Sequence, residues 1–241
     1  MTDEEDKIRR INEELKEYYG MPEQPTDMSG IDYLVETILS QNTNDINRDK
    51  AFDNLKEKYG DDWEKVENAD YDELTDTIRI AGLGPTKAER IQGALKIIRE
   101  SSRNSDRVSG EPENSDTEFS DRGEYDISFI EDMSIEEGKK WLTEIPGIGP
   151  KTAAIILCFH FDKPVMPVDT HVHRVSKRLG FIPENASRTK AHDILEEKVP
   201  NDIKYEFHRL LIDHGRKHCK AQNPTCMEGP LGEECMPLES E

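Results

Sequence analysis

The chain has 241 residues, of which 34% are hydrophobic and 7% aromatic, enough for one large or two small helical cores and little more. No run of 18 apolar residues occurs, which excludes a membrane-spanning helix, and the opening MTDEEDKIRR is charged where a secretory signal would be apolar, so a cytoplasmic location is expected. A net charge of −20, from 52 acidic against 32 basic residues, argues against a uniformly basic nucleic-acid binder and confines any phosphate contact to a local patch.

The first element is an amphipathic helix with Ile8, Ile11, Leu15 and Tyr18 on one face, ending near Gly20 with Pro22 and Pro25 beyond. A second helix runs from Ile31 through Leu34, Ile38 and Leu39 into the polar hexapeptide Ser40-Gln41-Asn42-Thr43-Asn44-Asp45, which reads as a loop carrying an N-cap. Helical patterns continue over 46–59, 62–68 and 71–80. The turn Ala81-Gly82-Leu83-Gly84-Pro85 follows, then Lys87 and a helix bearing Ala88, Ile91, Leu95 and Ile98; here Lys87 reads as part of a plain helix–helix turn.

Ser101 to Asp126 differs in kind. It holds six serines, eight acids and three basic residues, and too little apolar surface to repay its own ordering, so 101–127 is expected to be a disordered acidic insertion. Ser134 and Glu137 then have the spacing of a capping box ahead of Ile135, Leu142 and Ile145. Next comes Pro146-Gly147-Ile148-Gly149-Pro150, followed by Lys151 and an almost wholly apolar helix to Phe161. Two glycines let the backbone fold into a hairpin and leave bare N–H groups, and a helix N-terminus behind them favours a phosphate oxygen. From 150 to 180 the chain carries five basic residues (Lys151, Lys163, Arg174, Lys177, Arg178) against two acids, which supplies the local patch that the overall charge denies.

The pair of segments PGIGPKTA (146–153) and VDTHVHRV (168–175), with Asp169 eighteen positions after Lys151, resembles the helix-hairpin-helix, Gly/Pro-rich, aspartate-ended motif of base-excision DNA glycosylases, and most closely the endonuclease III family. The resemblance covers about 31–100 and 128–235. It implies an all-α fold of two helical lobes flanking a DNA-binding cleft. One lobe is 30–163, with the helix-hairpin-helix and the insertion; the other is 164–241, with the helix of 1–29 packed on it. It further implies a DNA glycosylase with abasic-site lyase activity, working as a monomer on double-stranded DNA with damaged bases or abasic sites. In that scheme Lys151 is the Schiff-base nucleophile, Asp169 the catalytic carboxylate, and Gly147, Ile148 and Gly149 grip a phosphate. Gln41 matches the glutamine that fills the gap left by a flipped base; an amide that both donates and accepts suits an unpaired partner. A monofunctional or mismatch-specific glycosylase of the same superfamily, and a non-catalytic hairpin module, are the alternatives.

The chemistry of the residues agrees. An amine must lose its proton before it attacks C1′ of a nucleotide. A helix N-terminus and burial behind apolar neighbours would both disfavour the ammonium of Lys151, while Asp169 pulls the other way. Asp169 is equally placed to cap the helix that begins at Thr170.

Four cysteines complete the reading. Cys158 lies in an apolar helix and reads as core. Cys219, Cys226 and Cys235 resemble three ligands of the family's C-x6-C-x2-C-x5-C iron–sulfur loop, with Gly229 at the missing position. Three readings stay open: an iron–sulfur cluster with a non-cysteine ligand, zinc with His218, or a loop without metal. His171 and His173 point to different helix faces and suit no shared metal. The acidic surface also leads us to expect adaptation to a salty, halophilic cytoplasm.

Overall fold

In a computed structural model, residues 3–22, 28–108 and 125–235 are described. Among them every regular element is helical, and no helix is long and apolar enough to cross a membrane. The chain divides into two compact units, Thr26–Ile156 and Met1–Pro25 with Leu157–Glu241.

The contiguous unit holds α2 (Gly30–Ser40), α3 (Asp45–Tyr59), α4 (Trp63–Glu67), α5 (Tyr71–Thr77), α6 (Gly84–Val108), α7 (Ile135–Glu144) and the start of α8 (Pro150–Phe159), with α1 (Asp3–Tyr19) belonging to the other unit. Local chemistry sets the starts. Ser29, Asn44, Asp62, Asp70 and Ser134 each accept a first-turn backbone N–H through a side-chain oxygen, each worth about 1 kcal/mol. Ser134 and Glu137 form the reciprocal capping box that their spacing predicts. Leu34, Ile38, Leu55, Leu74, Ile91, Leu95, Ile98 and Leu142 are fully buried, at about 1.5–3 kcal/mol apiece.

The reading of 101–127 as disordered falls outside the described residues for 109–124. Before it, α6 runs on to Val108 rather than ending where the composition changes. The flanks are tied together. Arg99 makes a two-pronged bond to Glu67 at 2.7 and 2.9 Å, and the Tyr125 hydroxyl donates to the same carboxylate at 2.7 Å. The Arg99 guanidinium and, less strongly, Tyr125 hold Glu67 below the usual carboxylate range against the opposing effect of burial. Ser102 Oγ donates to the Asp126 carbonyl at 3.4 Å.

The second unit joins α1 to α9 (Thr170–Arg178), α10 (Arg188–Lys198) and α11 (Lys204–Lys217). Its core gathers Ile8, Ile11 and Leu15 from α1 with Val172, Val175, Leu195, Phe207, Leu210 and Leu211. The expected apolar face of α1 needs one correction. Tyr18 is 55% exposed, and Asn12 is buried instead, donating to Glu206. Four residues from Ile8 to Asn12 is a helix neighbour too, and the Glu206 carboxylate accepts from the buried amide's NH2, while the amide oxygen has no hydrogen-bond partner among the described residues. The helix predicted from 201 starts with a 3-10 turn, Asn201–Ile203, and becomes α-helical at Lys204. Arg10 on α1 makes a bidentate pair with Glu234 at 2.7 and 2.8 Å, fastening the start of the unit to its end.

Candidate active site and cysteine loop

The hairpin between α7 and α8 is built as the glycines require. Gly147 sits at φ +83°, open only to a residue without a Cβ, and a Cβ there would also strike the Arg90 side chain. Ile148 N–H donates to the Ile145 carbonyl at 3.0 Å, and Ile148 is buried as the hairpin's anchor. The amides of Gly147 and Gly149 bond to no acceptor among the described residues, and both glycines are exposed. Two open donors just ahead of a helix N-terminus make a ready anion seat.

Lys151 lies in the first turn of α8 and is exposed. This corrects the expectation of shielding by apolar neighbours. Ala153, Ala154, Ile156 and Leu157 are buried on the other faces of the helix, so the run of apolar letters after Lys151 turns away from it.

Gln41, at the end of α2, is part of the same unit. Its Nε2 donates to the Gly147 carbonyl at 2.9 Å, and its Oε1 accepts from Arg90 Nη1 at 2.6 Å. Arg90 thus touches both the glutamine and the glycine. Nothing in the sequence singled it out: it is one polar residue among several on α6, and only the glycine's need for clearance hints at a neighbour. Lys87, one turn earlier on α6, is 1% exposed rather than an ordinary turn residue. Its Nζ donates to the carbonyls of Leu39 and Ala81 at 2.6 and 2.8 Å, stapling the end of α2 to the second glycine turn. Burial, assisted by the nearby Arg90 charge, pushes it down to about 8.

In the other unit Asp169 is half-buried and caps α9, its Oδ1 accepting from Val172 N–H at 2.7 Å. Oδ2 has no hydrogen bond among the described residues, so the cap leaves half the carboxylate free. His171 and His173 diverge: a His171 ring nitrogen meets Arg174 at 3.0 Å, and His173 Nε2 meets the Ala186 carbonyl at 2.8 Å. Cys158 is buried, and its burial pushes the thiol up to about 12.

The C-terminal loop brings Cys219, Cys226 and Cys235 together, all buried and free. Cys235 Sγ lies 3.4 Å from Cys219 Sγ and 3.6 Å from Cys226 Sγ. Hydrogen bonding from Cys235, and then from Arg178 Nη1 at 3.2 Å, holds the Cys219 thiol below its usual range against the opposing effect of burial. The histidine beside them is His214, not the His218 that adjacency suggested: a ring nitrogen of His214 and the three sulfurs all lie within 4.8 Å of one another. Such a group of donors is able to hold a metal. A four-thiolate cluster does not fit them, because Gly229 offers no ligand and a Cβ there would meet the His218 ring at 2.9 Å.

Residues 35–201 match the HhH-GPD superfamily of base excision DNA repair proteins, and the chain belongs to that superfamily. Its place there is among the endonuclease III-like DNA glycosylases. It is 34% identical to the endonuclease III of Thermotoga maritima, over 84% of this chain and 80% of that one. It is 33% identical to a DNA glycosylase homologue of Arabidopsis thaliana, over 80% of this chain but only 59% of the longer plant protein. Among solved structures, a non-covalent endonuclease III–DNA complex superposes with a TM-score of 0.71 at 28% identity, covering 98% of this chain and 96% of that one.

Proposed function

We propose that this chain removes damaged bases from double-stranded DNA and then cuts the strand at the abasic site, with Lys151 as nucleophile and Asp169 as the assisting carboxylate. The observation that carries the reading is the position of Lys151: an exposed amine in the first helical turn after two glycines whose amides are open. Those amides would hold a phosphate oxygen of the DNA strand and so fix the register of the sugar that Lys151 attacks.

Lys151 first gives up a proton. Since the free chain leaves it in water, desolvation must come from the DNA that covers it. The neutral Nζ then bonds to C1′ as the bond from C1′ to the base nitrogen breaks, and the departing base takes a proton. The free Oδ2 of Asp169 would stabilise the positive charge that builds on the sugar and relay protons. The nitrogen then loses a proton and the C1′–O4′ bond breaks, with a proton passing to O4′, so that the opened sugar is joined to Lys151 as an iminium whose C2′ hydrogens are acidic. Loss of one expels the 3′ phosphate by β-elimination, and water releases the lysine. Gln41 would fill the gap left by the flipped base, after letting go of Gly147 and Arg90. The enzyme would work as a monomer, and no step passes through the cysteine loop.

Borohydride trapping on abasic duplex DNA tests the assignment. A covalent adduct with the native chain, lost in Lys151→Ala, is the expected result. Base release with neither adduct nor strand cleavage would make the enzyme monofunctional and remove Lys151 as nucleophile.

A further inference from the structure

We infer that Cys219, Cys226, Cys235 and His214 form a mononuclear zinc site, with His214 as the fourth ligand in place of the absent cysteine. Three features of the loop carry this.

The first is donor count and spacing. Three sulfurs and one imidazole nitrogen, all within 4.8 Å of one another, are the set for one tetrahedral ion. Zinc–sulfur bonds of about 2.3 Å give a sulfur–sulfur edge of about 3.8 Å. The observed separations of 3.4 and 3.6 Å lie close to that edge. A four-iron cube hangs each thiolate on its own iron and holds the sulfurs farther apart.

The second is the orientation of His214. Its Nδ1 lies 3.2 Å from the Tyr19 hydroxyl, while its Nε2 is fully buried with no hydrogen-bond partner among the described residues. A buried imidazole nitrogen left bare costs stability, and a metal removes that cost. Metal-binding histidines commonly have the other ring nitrogen fixed by an oxygen, which is the part Tyr19 plays. His214 is 0% exposed, so no solvent ligand competes.

The third is the wall opposite. Where the four-cysteine loop has its third thiolate, this chain has Gly229, and the His218 ring occupies the space a side chain there would need. The His218 Nε2 is 3.5 Å from the Tyr18 hydroxyl, which directs that ring to α1. The loop is therefore packed for three cysteines, and the ligand set closes from the α11 side. The site is a brace between α1, α11 and the C-terminal loop, with no open coordination position for chemistry.

The experiment is metal analysis of the full chain, produced with iron and zinc both supplied and purified without air, followed by exchange with cobalt(II). The expected result is about one zinc per chain with little iron, and a cobalt form with the intense visible bands of a tetrahedral thiolate site. His214→Ala should lose the zinc, and His214→Cys should keep it with a shifted thiolate-to-cobalt band. His218→Ala should change neither stoichiometry nor spectrum. If His214→Ala does not fold, His214→Cys alone decides the ligand. About four irons with inorganic sulfide per chain, a folded native protein without metal, or a cobalt spectrum indifferent to His214→Cys would each overturn the assignment. DNA cleavage is not the readout, so the zinc site stands or falls separately from the catalytic assignment.

Discussion

The side-chain amide of Gln41 donates to the backbone carbonyl of Gly147 at 2.9 Å, joining the loop after α2 to the helix-hairpin-helix turn. Arg90 closes the triangle, bonding to the same amide's oxygen and lying against the face of Gly147 where a Cβ would stand. Gly147→Ala is therefore doubly opposed, by a left-handed φ and by Arg90. It should cost about 1–3 kcal/mol and lower the melting temperature. Arg90→Ala in the same background should restore part of the loss, a coupling that a double-mutant cycle on melting temperature would read.

Asp169 serves as a helix cap through one oxygen and is proposed to serve chemistry through its charge, and two substitutions separate these. Asparagine caps nearly as well as aspartate, so Asp169→Asn should hold stability while the turnover rate falls ~10²–10³-fold. Asp169→Ala should lose the rate and about 1 kcal/mol of stability together. Equal melting temperatures for the two variants would remove the capping role.

Lys87 makes stability depend on pH in the alkaline range. Its folded value of about 8 lies below the ordinary 10.5, so the unfolded chain binds more protons between those limits. The burial penalty on its charge is present below pH 8 and is relieved as pH rises toward 10.5. Against Lys87→Met, the native chain should gain up to about 3 kcal/mol over that window, measurable by denaturant unfolding at each pH.

The acidic insertion is bracketed by contacts that survive its removal. Glu67 holds Arg99 on one side and Tyr125 on the other, and Ser102 reaches Asp126 directly. Replacing 103–124 with a short glycine-serine link should leave the melting temperature within a few degrees; a large fall would show that the insertion packs on the unit.

The surplus of acid predicts a salt response. Raising salt from 0.1 M to 1 M shortens the screening length from about 10 Å to about 3 Å, which relieves repulsion among the 52 acidic residues. The melting temperature should climb across that range, and highest stability at low salt would dismiss adaptation to a salty cytoplasm.

Much of this was legible in the letters because it is local. The N-cap within the polar hexapeptide, at Asn44, the capping box at Ser134, the glycine hairpin and the apolar stripe of α1 are decided within one or two helical turns. What escaped was decided by distant partners. Arg90 acquires its part from residues 49 and 57 positions away, which no spacing rule reaches. His214 looked like one more polar residue near the end of a helix, while His218 had adjacency to Cys219 in its favour. Yet the α11 C-terminus turns so that both His218 and Cys219 amides donate to the His214 carbonyl, folding the chain back over His214. Lys151 was misjudged for a related reason: a run of apolar letters gives hydrophobicity but not which way each one faces.

The bond between Tyr19 and His214 has a consequence for how the protein is made. Helix α1 is translated before the contiguous unit, whereas the α9, α10 and α11 residues that cover Ile8, Ile11 and Leu15 are translated after it. The contiguous unit has all its own sequence in hand long before that. During synthesis the N-terminal segment must wait with its greasy stripe uncovered, and its dense flanking charge is what keeps a waiting helix from sticking to its neighbours.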